Sequence, residues 1–213
     1  MAKNKSNIFM NTLVLLVITF ICVAILAVVN QVTRTPIEQA EVNARAQTYR
    51  EVFPDAENFV EIDGTDKLIE NAYALLSSAG YDGCYINDTM SVTDSNGNIA
   101  GYVVAATSPN GYGGDVQIAI GISSDGVITG FQPISHSETP GFGAKCEEDE
   151  FKDQFNGMKA SAIEYSKTGK SKDNEIDAIS GATRSTNAIT QAVNSAIIFY
   201  QENFVQNTDN DAK

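Results

Sequence analysis

The chain has 213 residues, with 14 Lys plus Arg against 27 Asp plus Glu and a formal net charge of −13, so a phosphate backbone would be repelled by most of its surface and nucleic acid is excluded as a partner. Three cysteines, Cys22, Cys84 and Cys146, are too few and too scattered for a zinc or iron–sulfur site, and no CxxC is present, which argues against metal redox chemistry within the chain. Five prolines, sixteen glycines and 43% hydrophobic residues suit one globular domain with an apolar segment at one end.

Ile8 to Val29 is an uncharged run, interrupted only by Asn11, Thr12 and Thr19. At roughly 1.5 Å per residue it is long enough to cross a hydrocarbon core of roughly 30 Å, and it exceeds the apolar stretch of about 7–15 residues in a cleaved signal peptide. A retained anchor is expected. Lys3 and Lys5 precede it and Arg34 is the next charge, so the positive-inside rule puts the tail in the cytoplasm and residues 30–213 outside.

From Thr35 to Val52 the pattern suits a helical stalk leaving the membrane, ended by Pro54. Asp66–Ser78 carries Leu68, Ile69, Ala72, Leu75 and Leu76 at helical spacing, with Gly80 as its stop. Between Ser91 and Ile134 the period changes. Ile99–Ala106, Val116–Ile122 and Val127–Ile134 are β-prone runs separated by Asn96-Gly97, Pro109-Asn110-Gly111 and Asp125-Gly126, as in a small antiparallel meander. Glu150–Phe155 is a short helix candidate. Thr186–Phe204 is a strong one, with Ile189, Ala192, Val193, Ala196, Ile197 and Tyr200 on one face and Asn187, Thr190, Gln191, Asn194 and Gln201 opposite. The order implies an α+β domain, and the polar tail after Val205 is expected to fray.

Asp177-Ala178-Ile179-Ser180-Gly181-Ala182-Thr183 leads straight into that last helix. Gly181 permits a tight turn and close approach to a ligand, Ala182 leaves space, and the free N–H groups of the helix start favour a phosphate that a hydroxyl at Thr183 would adjoin. Taken alone, Ser180, Thr183, Ser185 and Thr186 read equally as competing helix caps. Ser135-His136-Ser137-Glu138-Thr139-Pro140-Gly141-Phe142-Gly143 follows the last predicted strand, and Gly111-Tyr112-Gly113-Gly114 precedes the run at Val116. The glycine run lacks the Lys-Ser/Thr of a P-loop and opens no predicted helix, which leaves a turn near a ligand or a partner.

The Asp177–Thr183 segment resembles the motif by which certain proteins carry FMN in a phosphoester to the final threonine. The His136–Gly143 segment resembles the His-x-Glu-Thr-Pro-Gly-Leu-Gly loop of the same proteins. With Gly111–Gly114, and behind a single anchor, the whole resembles the RnfG component of the Rnf complex, which passes electrons between ferredoxin and NAD while moving ions. The resemblance covers most of residues 8–200, with no motif in 55–90. It implies covalent FMN on Thr183, cofactor contacts from Ser180, Gly181, Ala182, Glu138, Thr139, Gly141 and Phe142, and Asp177 in recognition by a magnesium-dependent flavin transferase. It also implies the other Rnf components as partners, in the cell membrane. The expected division is a cytoplasmic tail at 1–7, a transmembrane helix at 8–29, a stalk and helical region at 30–85, an extracytoplasmic FMN-binding domain with a small antiparallel sheet and flanking helices at 86–205, and a polar tail at 206–213.

Phe142 departs from the resembled pattern, which has Leu there. An aromatic ring at this position either stacks on the isoalloxazine or simply fills the loop. His136, the one histidine, either fixes the loop or moves a proton, the first being expected. Asp82, Asp88, Asp94 and Asp125 lack calcium-loop spacing and are expected to face solvent. A disulfide between Cys84 and Cys146 stays open, and Cys22 reads as an apolar residue of the anchor.

Two rivals remain at this level. The corresponding component of the sodium-pumping NADH:quinone reductase shares the motif, anchor and loop, but is typically longer than 213 residues. An extracytoplasmic flavin-binding regulatory module would be expected to carry further transmembrane or signalling segments, and the sequence shows none after Val29.

Overall fold

The structure, a computed structural model, describes residues 9–26 and 47–205, and its contacts divide the chain between Ala46 and Gln47. In the first unit, helix α1 (Phe9–Leu26) has 18 residues, long and apolar enough to cross a membrane, and its side chains are exposed throughout. A hydroxyl there needs a local acceptor, and Thr19 finds two, donating to the carbonyls of Leu15 at 3.0 Å and Leu16 at 2.9 Å. Ile8 and residues 27–29 of the expected span, and residues 35–46 of the expected stalk, lie outside the described residues. Residues 47–52 are helical.

The second unit is built on a five-stranded antiparallel meander, β1 (Asn58–Glu61), β2 (Tyr85–Thr93), β3 (Ile99–Ser108), β4 (Val116–Ser123) and β5 (Ile128–His136), whose spatial order is the chain order. Helix α2 (Thr65–Ser78) joins β1 to β2; short α3 (Asp149–Lys152) runs into a 3-10 turn at Asp153–Phe155. Strands β6 (Glu164–Ser166) and β7 (Glu175–Asp177) form a small parallel pair, and α4 (Thr183–Tyr200) closes the fold, continued by a π turn at Gln201–Val205.

Three of the strands fall where the hydrophobic runs put them; β1 and the start of β2 do not announce themselves. β2 carries Asn87, Asp88, Thr89 and Ser91, a polar strand held by side-chain partners: Thr107 donates to Asn87 at 2.7 Å and Tyr49 to Asp88 at 2.5 Å. Asp88 is thus engaged by a tyrosine rather than left to solvent.

Both faces of the sheet are covered. Val104 and Ala106 of β3, Ile118, Ile120 and Ile122 of β4, and Phe131 of β5 face the apolar sides of α2 and α4 in one cluster. Val103 and Ala119, the alternating neighbours, meet Tyr49, Val52 and Phe53 on the other face. That second layer is thin because glycines let it approach: a Cβ on Gly130 would lie 2.6 Å from Val52 Cα, and Thr129 donates to the Val52 carbonyl at 2.6 Å.

α4 begins three residues earlier than its apolar period predicts. Two residues of its expected polar face, Asn194 and, just past the helix end, Gln201, meet loops. Asn194, 6% exposed, accepts from the Ile163 amide at 2.8 Å and donates to the Ile163 carbonyl at 2.9 Å, while Gln201 donates to the Ala160 carbonyl at 2.7 Å. Phe131, Phe151 and Phe155 lock α3 and its 3-10 turn to β5, the rings of Phe131 and Phe155 stacking with centroids 4.3 Å apart.

Candidate functional site

The antiparallel register pairs Ser108 with Val116 and Val116 with His136, so the loop after β3 and the loop after β5 emerge side by side at one end of the sheet. The N-terminus of α4 meets them there. Between the three lies a cavity of about 300 Å³ lined by Tyr112, Glu138, Thr139, Phe142, Gly143 and the run Gly181–Ser185.

Each loop is shaped by a turn legible in its sequence. The Phe142 amide donates to the Thr139 carbonyl at 3.1 Å across Pro140 and Gly141, the latter at φ +78°, which is the pattern of a type II turn with proline and then glycine at its centre. In the attachment segment the Ala182 amide donates to the Ile179 carbonyl at 3.0 Å across Ser180 and Gly181, Gly181 having φ +75°. The two turns touch: a Cβ on Gly181 would lie 3.3 Å from Phe142 Cδ1, so the Phe142 ring rests against the glycine.

Glu138 is the fastening point. Its side chain is buried, accepting from the Ser185 hydroxyl at 2.5 Å through one oxygen and from the Gly113 amide at 3.2 Å through the other. Side chains at Gly111 or Gly143 would collide with this carboxylate, which explains the glycines at both places. Behind it, the Glu138 amide donates to His136 Nδ1 at 3.2 Å, which leaves the ring proton on Nε2, 2.9 Å from Glu147. His136 therefore fixes the loop. Burial, then the carboxylates of Glu147 and Glu138, push the neighbouring Cys146 thiol up to about 12, so it stays a neutral core residue. Cys22, Cys84 and Cys146 are all free thiols.

The hydroxyls of the attachment segment are not equivalent. Thr186, fully buried, donates to the Ala182 carbonyl at 3.0 Å and accepts from the Ile179 amide at 3.1 Å. Ser185 is taken by Glu138. Ser180 is exposed and opens on a second cavity of about 230 Å³ with Asp177. Asp177 accepts from the Lys170 amide at 2.5 Å, and its own amide donates to Gln154 at 2.6 Å. Thr183, half-buried in the first cavity, has no hydrogen-bond partner for its hydroxyl among the described residues, a state shared within the segment by exposed Ser180, which lies on the second cavity. Ala182 precedes the helix and supplies no side-chain cap, so the first-turn amides of α4 stay available.

Of the residues expected from sequence, Glu138, Thr139, Phe142, Gly181, Ala182 and Thr183 share the first cavity; Ser180 and Asp177 adjoin the second, and Gly141 lines neither. Tyr112, Gly143, Arg184 and Ser185 are additions. Tyr112 and Gly143 stand inside the glycine and Thr-Pro-Gly segments, so their signal was the segment itself. Arg184 and Ser185 follow Thr183 directly, and no spacing rule marked them.

An uncommitted hydroxyl beside free helix amides suits a phosphoryl group, and exposed Tyr112 and Phe142 offer ring faces beside it. These features define an FMN-binding protein with a membrane-length helix: the FMN-binding domain family matches residues 111–198, and the RnfG N-terminal region matches residues 1–52. The chain is 36% identical over 196 residues to the G-type component of the Na(+)-translocating ferredoxin:NAD(+) oxidoreductase complex of Acetobacterium woodii, covering 91% of this chain and 92% of that one. It is 33% identical over 195 residues to the G-type component of the proton-translocating ferredoxin:NAD(+) oxidoreductase complex of Clostridium ljungdahlii, covering 92% of each. The crystal structure of Shewanella oneidensis NqrC superimposes with a TM-score of 0.48 at 20% identity, over 57% of this chain and 60% of that one. The chain belongs to the RnfG family, a component of ion-translocating ferredoxin:NAD oxidoreductase, or Rnf, complexes.

Proposed function

We propose that the chain carries electrons within a membrane-bound ion-translocating ferredoxin:NAD oxidoreductase complex, through one FMN held by a phosphoester on Thr183. The observation that carries this reading is the Thr183 hydroxyl, uncommitted in a cavity where two loops and a helix N-terminus converge. The flavin ring, when bound, supplies the electron chemistry. The chain supplies its setting. The first-turn amides of α4 face the phosphoryl end, Thr183 fixes it, and Phe142 and Tyr112 flank the ring. Glu138 holds the β3–β4 loop and the α4 start in register.

A separate flavin transferase makes the bond, reading the Asp177–Thr183 segment, in which Asp177, Ser180 and Gly181 are exposed. α1 is the anchor, with Lys3 and Lys5 in the cytoplasm and the FMN-binding domain outside. The test is the full chain expressed with its flavin transferase: flavin fluorescence persists in a denaturing gel and the intact mass rises by one FMN less one water. Thr183→Val loses both, and retention of covalent flavin in that variant refutes the assignment.

A further inference from the structure

We propose that Arg184 is the cationic ligand of the flavin phosphoryl group, a role that rests on reading the first cavity as the FMN site. Arg184 is the single cation among the residues lining that cavity. The walls contributed by the sheet have none to offer, because the sequence holds no Lys or Arg between Lys67 and Lys145, and Lys145 lines the second cavity.

The guanidinium is held in place. Its Nε donates to the Asn110 carbonyl at 3.3 Å, and Asn110 is itself strapped to α4 through Gln191 at 2.8 Å, which also accepts from Ser108 at 3.1 Å. That contact uses one N–H of the guanidinium fork and leaves the terminal pair for a phosphoryl oxygen pair. No carboxylate forms an ion pair with Arg184 among the described residues; both oxygens of the nearby Glu138 are committed to Ser185 and Gly113.

A cation in the first turn of a helix opposes the macrodipole, and α4 has no acidic residue there to offset it. An anion bound at the same turn resolves both. The guanidinium holds the phosphoryl group against the helix start and balances the charge the phosphoester retains.

The test uses the full chain in detergent with Thr183→Val, so that binding is reversible, and titrates FMN against riboflavin, which lacks the phosphate, by quenching of flavin fluorescence. With Arg184 present, FMN binds at least about tenfold tighter than riboflavin. Arg184→Gln cuts that ratio about tenfold without weakening riboflavin, and Arg184→Lys, which keeps the charge and loses the fork, falls between. An FMN-to-riboflavin ratio unchanged by Arg184→Gln overturns the proposal, as does the absence of any FMN preference in the Arg184 chain, including failure to bind either flavin. Covalent flavin surviving Thr183→Val on a denaturing gel is a separate result, and it overturns the attachment reading instead.

Discussion

Ser185 donates its hydroxyl to the buried carboxylate of Glu138 at 2.5 Å, bolting the loop after β5 to the first turn of α4. Removing the donor leaves a buried carboxylate oxygen short of a partner. Ser185→Ala is expected to lower stability by about 1–3 kcal/mol, with Glu138→Gln milder because the amide still offers an acceptor. Urea unfolding of the full chain in detergent measures both; an unchanged midpoint in Ser185→Ala would show that the contact contributes nothing to the fold.

The four hydroxyls around the attachment segment make a graded series. Ser180→Ala faces solvent and is expected to change stability by less than about 0.5 kcal/mol while keeping the flavin. Thr186→Val keeps shape but strands the buried Ile179 amide, costing about 1–3 kcal/mol, again with flavin retained. Thr183→Val reverses the pattern, losing covalent flavin at little cost in stability. Denaturing-gel fluorescence beside thermal unfolding separates the two effects, and a variant other than Thr183→Val that abolishes attachment while staying folded would move the site.

Orientation is testable because the native thiols of the sheet domain are out of reach. Cys84 and Cys146 are buried, so Asp173→Cys, on an exposed loop, introduces one accessible thiol in that domain. A membrane-impermeant maleimide is expected to label it on intact cells. Labelling only after the membrane is opened would put the domain on the cytoplasmic side and reverse the topology.

Cys146 gives a pH signature. Its thiol is raised from 9.0 to about 12, so between those values the unfolded chain loses a proton that the folded chain keeps. Stability is therefore expected to be intact below about 9 and to decline as pH rises toward 12. Tyr102 and Tyr200, raised by burial, add to the decline in alkali, so the measurement is the difference between wild type and Cys146→Ala. Equal declines in the two would exclude a contribution from Cys146.

What the sequence made legible was whatever chemistry writes locally. The apolar run gave α1, β-prone runs between turn dipeptides gave β3 to β5, and Gly181 marked a turn whose hydrogen bond closes as that residue type permits. β2 stayed hidden because Tyr49 and Thr107, distant in sequence, satisfy its polar side chains. Glu138 was legible as a site residue but not as a clasp, since its partners Gly113 and Ser185 stand 25 and 47 residues away. The same distance explains Arg184, whose orientation depends on a carbonyl 74 residues earlier.

Phe142 separates attachment from tuning. Its ring is 53% exposed and lies against Gly181, on the wall of the cavity that Thr183 shares, so it contributes little to the core and is free to meet a bound isoalloxazine. Phe142→Ala is expected to change stability by less than about 1 kcal/mol and to leave flavin covalently bound. It removes a stacking contact worth about 0.5–1.5 kcal/mol beyond area burial, and because that contact differs between oxidised and reduced rings, the flavin's absorption bands and midpoint potential should both move. Phe142→Leu, which keeps an apolar contact but no ring, should shift them less. Spectroelectrochemical titration of the three flavinylated chains makes the comparison. If all three share one spectrum and one potential, Phe142 does not touch the ring, and its exposed face is left for contact with a neighbouring protein of the complex.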